Sequence, residues 1–334
     1  MTGERILVTG ASGFIGFTLV KKLIQSGFTD VIGIDNFSAP YGSHHCDRRA
    51  AVLERNFQFR IHKLDLIDKS SFQSLYKLAP FDYIIHLAAW PGVRFGQEKP
   101  SYYYRNNVNA FGNVLEFVNE VKPSKFLFAS SSSVYGNQGT SGPVRENELS
   151  ARDLRSFYAT TKLMNEISAR SYAEISKVPT IALRFFTVYG PEGRPDMAYW
   201  KFLAGILKDE VLELYGTDGG MRSFTYVDDV VDAVQIILRS NIKDYQALNI
   251  ASSLPGKTFE LVQLMGEITG IAPKVRVIDR PPYDVDITHA DLTLLDEFAG
   301  ERQETSISNG LRKFVEWYRE DFSRTSNREK YETK

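Results

Sequence analysis

Tyr158 and Lys162 stand four residues apart in a strongly helical stretch, so both side chains fall on one face of a helix. A phenol with its ordinary pKa near ~10 is a poor base at neutral pH, but a neighbouring ammonium stabilises the phenolate and lowers that value. Such a pair can take the proton of a hydroxyl while hydride leaves the same carbon. Alone it is weak evidence, because the chain has 17 tyrosines. The run Ser130-Ser131-Ser132-Ser133 strengthens it. These hydroxyls end an apolar run, where they can form a polar turn or face a ligand at the carboxyl end of a parallel strand.

A second constellation lies at the start of the chain. Thr9-Gly10-Ala11-Ser12-Gly13-Phe14-Ile15-Gly16 follows the first apolar run and opens a helical stretch. Gly10, Gly13 and Gly16 permit a tight turn, close approach of the backbone to a pyrophosphate, and close helix–strand packing. The helix N-terminus, with Phe14 and Ile15 in its first turn, adds free N–H groups and partial positive charge. Asp35 and Asn36 close the next strand, at the spacing of a ribose-binding acid. A carboxylate there accepts from the 2′-hydroxyl and repels a 2′-phosphate, which favours NAD over NADP. Asp65-Leu66, after the third strand, can set a carboxylate near an adenine amine.

The elements needed to position these groups are legible as alternation. Strand-like runs occur at Arg5–Thr9, Val31–Ile34, Phe57–Ile61, Tyr83–Leu87, Lys125–Ala129 and Thr180–Phe185, with helical stretches Ile15–Gln25, Asn106–Val121 and Tyr158–Ile175 between them. Continuous apolar strands separated by helices predict a parallel sheet covered on both faces, an α/β doubly wound Rossmann fold. The pattern loosens from Thr187 to Phe224, recovers in a helix at Asp228–Arg239 and a strand at Ala247–Ile250, and loosens again through Pro255–Tyr318. The division expected is a dinucleotide-binding domain of residues 1–186 with 228–252, and a smaller interleaved mixed α/β substrate domain of 187–227 with 253–322. A flexible polar tail is expected at 323–334.

Composition narrows the partners. Lys plus Arg number 40 and Asp plus Glu 41, for a net charge of -1, with no basic run to suggest a nucleic acid. The one cysteine, Cys46, beside His44 and His45, lacks the spaced pairs of a zinc site, so a polar loop without metal is expected. No apolar run is long enough to span a membrane and no signal peptide is read, which predicts a cytoplasmic enzyme.

With these residues the chain resembles the extended short-chain dehydrogenases/reductases, and within them the UDP-glucuronate 4-epimerases, from Ile6 to about Asp291. The most specific stretches are His86-Leu87-Ala88-Ala89, Gly92-Val93-Arg94, Ser130–Gly136, Tyr158-Ala159-Thr160-Thr161-Lys162, Arg184–Pro191, Gly193–Ala198 and Arg222–Asp229. The resemblance implies NAD as cofactor, with Leu87, Ala88 and Ala89 beside it, and a UDP-sugar as substrate. It implies that Ser131, Tyr158 and Lys162 catalyse, that Arg94 binds the substrate, and that Ser132, Ser133 and Thr187 contact the sugar or its carboxylate. Arg194 would bind the C6 carboxylate, while Arg222 and Arg280 would contact the diphosphate. A homodimer through Asn106–Val121 and Tyr158–Ile175 is also implied.

The chain departs from the family's pattern in places. Phe95 is followed by Gly96, Glu192 stands in Pro191-Glu192-Gly193 where the family has Trp, and Tyr283-Asp284-Val285 replaces a Gly-Asp-Val triplet. Gly136–Arg155, loosened by Gly139 and Gly142, matches poorly. Glu192, two residues before Arg194, can pair with it and neutralise it. Related dehydratases carry an Asp-Glu pair at the positions of Ser132 and Ser133, and related decarboxylases a Glu at that of Ser133. Serines there favour epimerisation at C4, in which the 4-keto sugar turns and is reduced from its other face. Another UDP-sugar 4-epimerase, a dehydratase or decarboxylase, and a non-catalytic NAD(H)-responsive binding protein are the alternatives.

Overall fold

The computed structural model describes residues 2–138, 142–149, 151–216, 218–282, 284–300 and 302–322. Gly139, Tyr283 and the tail expected at 323–334 lie outside them. Six strands, β1 (Thr2–Thr9), β2 (Phe28–Asp35), β3 (Ile61–Lys63), β4 (Tyr83–His86), β5 (Lys125–Ser131) and β6 (Thr180–Phe185), join the strand Tyr245–Ile250 in one sheet. All pairings are parallel, in the order β3-β2-β1-β4-β5-β6 and then Tyr245–Ile250.

Burial on both faces explains why these strands read as continuous apolar runs. Ile6 and Val8 of β1 pack with Leu19, Val20 and Leu23 of the helix Phe14–Gln25 and with Val234 of the helix Val227–Arg239. Leu7 points the other way, into Phe111, Val114 and Phe117 of the helix Ala110–Val121. Each such side chain, buried completely, contributes about 1.5–3 kcal/mol. The order in which successive strands are added reverses at β1, whose neighbours are β2 on one side and β4 on the other, and this switch point opens a crevice at the carboxyl ends.

The loosely patterned segments turn out to be well structured. Thr187–Tyr189 pairs with Phe224–Tyr226, Val211–Tyr215 with Lys274–Ile278, and Met221–Arg222 with both Gly256–Lys257 and Ile287–Thr288. Helices Ala198–Leu207, Thr258–Thr269 and Ile307–Trp317 enclose a separate aromatic core of Tyr189, Tyr199, Trp200, Phe202 and Phe314. Among the described residues, no helix is long and apolar enough to cross a membrane.

Two expectations need correction. Phe57–Ile61 is not the third strand: Phe57 ends a helix, His44–Phe57, which stops at Gln58 in a left-handed conformation, and the strand begins at Ile61. Cys46 is therefore buried on a helix, not placed in a polar loop. The buried side of that helix is His45, Cys46, Arg49 and Leu53, so half of its core face is charged or polar.

Candidate active site

Ser156 caps the helix Phe157–Ser176, its hydroxyl accepting from the Ala159 N–H at 3.1 Å. The cap fixes the first turn, and with it Tyr158 and Lys162. Lys162 donates to the Ala129 carbonyl at 2.8 Å, and its Nζ lies 5.9 Å from the centre of the Tyr158 ring. Burial pushes the ammonium down to about 8, against the opposing pull of the Glu166 carboxylate. Glu166 is held in turn by the Arg184 fork at 2.9 and 2.7 Å and by the Ser130 hydroxyl.

Tyr158 is pushed up by burial, while the Arg194 charge and a hydrogen bond with Ser131 pull it down. Ser131 ends β5 and accepts from the Ser133 N–H at 3.2 Å, with the two hydroxyls 3.1 Å apart. Hydroxyl, phenol and ammonium therefore converge from a strand end and a helix N-terminus, two rigid supports.

The cofactor side opens from the same crevice. Gly10 has φ +70°, and a Cβ there would stand 2.7 Å from the Ala88 backbone nitrogen. A Cβ on Gly16 would stand 2.0 Å from the Gly10 carbonyl oxygen, so neither glycine admits a side chain. Gly13 begins the first helix with no side-chain cap and no acid in its first turn. The N–H groups of the helix's first turn, at Phe14, Ile15 and Gly16, border the cavity, as a pyrophosphate requires. Asp35 accepts from Ser12 N–H at 3.0 Å and Phe37 N–H at 2.7 Å, and burial raises its pKa against these bonds. Asp65 accepts from the Asn36 amide at 3.2 Å and from Ile67 N–H at 2.9 Å. An uncapped helix start beside two anchored carboxylates fits NAD.

The cavity, of about 440 Å³, runs from Asp65 past Tyr158 to Arg222. It brings together Gly10, Gly13, Phe14, Ile15, Gly16, Asp35, Asn36, Asp65, Leu66, Leu87, Ala88, Ala89 and Lys162 with Ser131, Ser132, Ser133, Thr187, Arg194 and Arg222. Arg94 and Arg280 lie outside its lining. Arg94 is exposed and reaches the Tyr215 hydroxyl at 3.3 Å. Arg280 shares Asp284 with Arg222, at 2.8 and 3.0 Å, and also binds the carbonyl of Tyr215.

Arg194 does not pair with Glu192. It grips Asp196 through Nε at 3.0 Å and Nη2 at 2.6 Å, and Glu192 pairs with Arg48. A guanidinium carries five N–H donors, so Nη1 and the second hydrogen of Nη2 remain for a ligand carboxylate held end-on. Tyr41 was missed in the sequence although it lines the cavity, 5.7 Å from the Arg194 guanidinium carbon. No periodicity marks it, because it sits in the irregular segment after Asp35.

This fold and site define a class. The chain belongs to the NAD dependent epimerase/dehydratase family, whose model matches residues 6–251. Among individual proteins it is 36% identical to Protein CapI of Staphylococcus aureus, over 96% of this chain and all of that one. It is 33% identical to a probable UDP-glucuronate 4-epimerase of Rhizobium meliloti, over 96% of this chain and 98% of that one. The UDP-glucuronic acid 4-epimerase of Bacillus cereus, solved with UDP-glucuronic acid and NAD, superposes with a TM-score of 0.86 at 31% identity, covering 94% and 99% of the two chains.

Proposed function

We propose that this chain interconverts the C4 epimers of a UDP-hexuronic acid, UDP-glucuronate and UDP-galacturonate, with NAD as its resident cofactor. One observation carries the reading. Ser131, Tyr158 and Arg194 share a cavity with the dinucleotide turn, and the two positions after Ser131 carry hydroxyls, Ser132 and Ser133, in place of the carboxyl groups that would drive elimination or decarboxylation. NAD supplies the two-electron acceptor that takes and returns hydrogen at C4.

The residues divide the remaining work. Tyr158, as phenolate, takes the proton of the C4 hydroxyl, and Ser131 orients that oxygen by hydrogen bonding. Lys162, itself held by the Ala129 carbonyl, stabilises the phenolate by charge. In the return direction Tyr158 gives the proton back to O4, so atoms and electrons balance with no net oxidation. Arg194 holds the C6 carboxylate, with Thr187 and Ser132 beside it. A 4-keto uronic acid is a β-keto acid, and a fixed carboxylate keeps the C5–C6 bond out of alignment with the carbonyl π system, which suppresses loss of CO2. Arg222 takes the diphosphate end. Residues 187–227 with 253–322 form the nucleotide-sugar half in this reading.

Incubation with a panel of UDP-sugars and chromatography of the products tests it. The expected result is UDP-galacturonate from UDP-glucuronate, in preference to turnover of UDP-glucose or UDP-N-acetylglucosamine. Better use of a neutral sugar, or a pentose or deoxy product, overturns it. A cytoplasmic homodimer belongs to the same proposal. Its support is Ile167 and Ile175, 62% and 65% exposed on the helix Phe157–Ser176, which packs on Ala110–Val121. A monomeric mass by light scattering at micromolar concentration removes the dimer.

A further inference from the structure

Arg49 is 1% exposed and lies outside the machinery described so far. Its guanidinium is satisfied almost wholly by main-chain carbonyls. Nε and Nη2 donate to the Glu192 carbonyl at 3.0 and 2.7 Å, and Nη2 donates to the Gly193 carbonyl at 3.0 Å. Nη1 donates to the Ser12 carbonyl at 3.1 Å. Ser12 lies within the dinucleotide turn, its N–H already fixed by Asp35. Glu192 and Gly193 form the turn that immediately precedes Arg194. One buried cation thus joins the cofactor loop to the loop that presents the substrate arginine, more than 140 positions away in the chain.

The turn needs such support. Glu192 has φ +61°, in the left-handed region that strains a residue with a side chain. Its side chain is held by Arg48, which precedes Arg49 on the helix His44–Phe57. Tyr41 completes the link: its ring centre lies 5.9 Å from the Arg49 guanidinium carbon and 5.7 Å from that of Arg194. Lysine cannot substitute, because a single ammonium lacks the planar fork that spans adjacent carbonyls.

We propose that Arg49 is a positioning residue for Arg194. By clamping the Glu192-Gly193 turn to the cofactor loop, it sets the preference for a uronate over a neutral hexose. The inference rests on the uronate reading above.

The test is binding, not turnover. In a Tyr158→Phe background loaded with NAD, calorimetry measures the affinities of UDP-glucuronate and UDP-glucose with Arg49 present and with Arg49→Lys. The expected result is a loss of roughly tenfold or more for UDP-glucuronate and less than about twofold for UDP-glucose, the share set by a charge-assisted pair. Equal loss for both ligands, or an unchanged ratio, overturns the inference. Absence of any preference with Arg49 intact would refute the uronate reading instead, so the two failures are distinct.

If Arg49→Lys does not fold, Glu192→Gly and Glu192→Pro put the same question with Arg49 in place. Glycine accepts the left-handed turn and keeps the carbonyl that Arg49 grips, so the affinity ratio is retained. Proline fixes φ near −65° and swings that carbonyl away, so the ratio collapses. Retention in Glu192→Pro, or collapse in Glu192→Gly, overturns the inference.

Discussion

Replacing Arg194 with alanine removes one attraction and unmasks one repulsion, and the structure lets each be sized. The uronate loses a charge-assisted fork worth about 1.5–3 kcal/mol, roughly 10- to 150-fold in kcat/KM. Asp196, whose side chain is 18% exposed, then loses the cation that Nε and Nη2 supplied. Its carboxylate is left facing that of the substrate. At roughly 6 Å and an effective dielectric of about 20, two such charges repel by about 3 kcal/mol. The single variant should therefore lose more than the fork is worth, about 4–6 kcal/mol on UDP-glucuronate and little on UDP-glucose. The double variant Arg194→Ala/Asp196→Ala removes the repulsion and should recover the second part. Initial rates with both sugars, read by chromatography, decide this, with NAD binding as a check that each variant folds. Equal losses on the acidic and neutral sugars, or a double variant no better than the single, refute the argument.

Tyr158→Phe should cut kcat by about 10²- to 10⁴-fold while NAD affinity, read by calorimetry, stays nearly unchanged, because only the proton carrier is lost; normal turnover removes Tyr158 from the mechanism. Asp35 predicts tighter binding of NAD than of NADP, with the ratio shrinking at least roughly tenfold in Asp35→Asn; equal or tighter NADP binding by the unmodified chain contradicts it. Acid should destabilise the fold through His86, which burial pushes down to about 3 and whose Nδ1 lies 2.8 Å from the Thr9 hydroxyl. Below pH 6.5 the unfolded chain gains a proton there that the folded chain refuses, so stability falls with pH, by about 2 kcal/mol at pH 5 relative to pH 7. Urea unfolding at the two pH values should show a smaller drop in His86→Asn, and an unchanged drop counts against this account.

The parts of the molecule visible in the sequence are those in which a residue's neighbours along the chain determine its role. Ile6, Leu7 and Val8 read as a buried strand because parallel strands covered on both faces are apolar throughout. Tyr158 and Lys162 read as a pair because helical spacing alone brings them together. The helix His44–Phe57 was not legible, because Arg49 and His45 occupy its core face and imitate a solvated one. Their partners are the carbonyls of Glu192 and Gly193 and the ring of Trp200, which no local pattern announces. Adjacency misled in the same way for Glu192, whose left-handed backbone turns its side chain to Arg48 and leaves Arg194 to Asp196.

The Arg194–Asp196 pair has a consequence for the company the site keeps before substrate arrives. An unaccompanied arginine in a crevice is a standing invitation to bystander anions, and a cell holds phosphate in great excess over any nucleotide sugar. With Asp196 already on its Nε edge, Arg194 offers almost no net charge at encounter. A small anion gains little Coulombic energy there, and it lacks the diphosphate and ring contacts that would carry it past the resident carboxylate. Only a carboxylate delivered on the rest of a nucleotide sugar arrives with enough other contacts to share the guanidinium. Sulfate should accordingly inhibit the unmodified chain weakly and Asp196→Asn strongly.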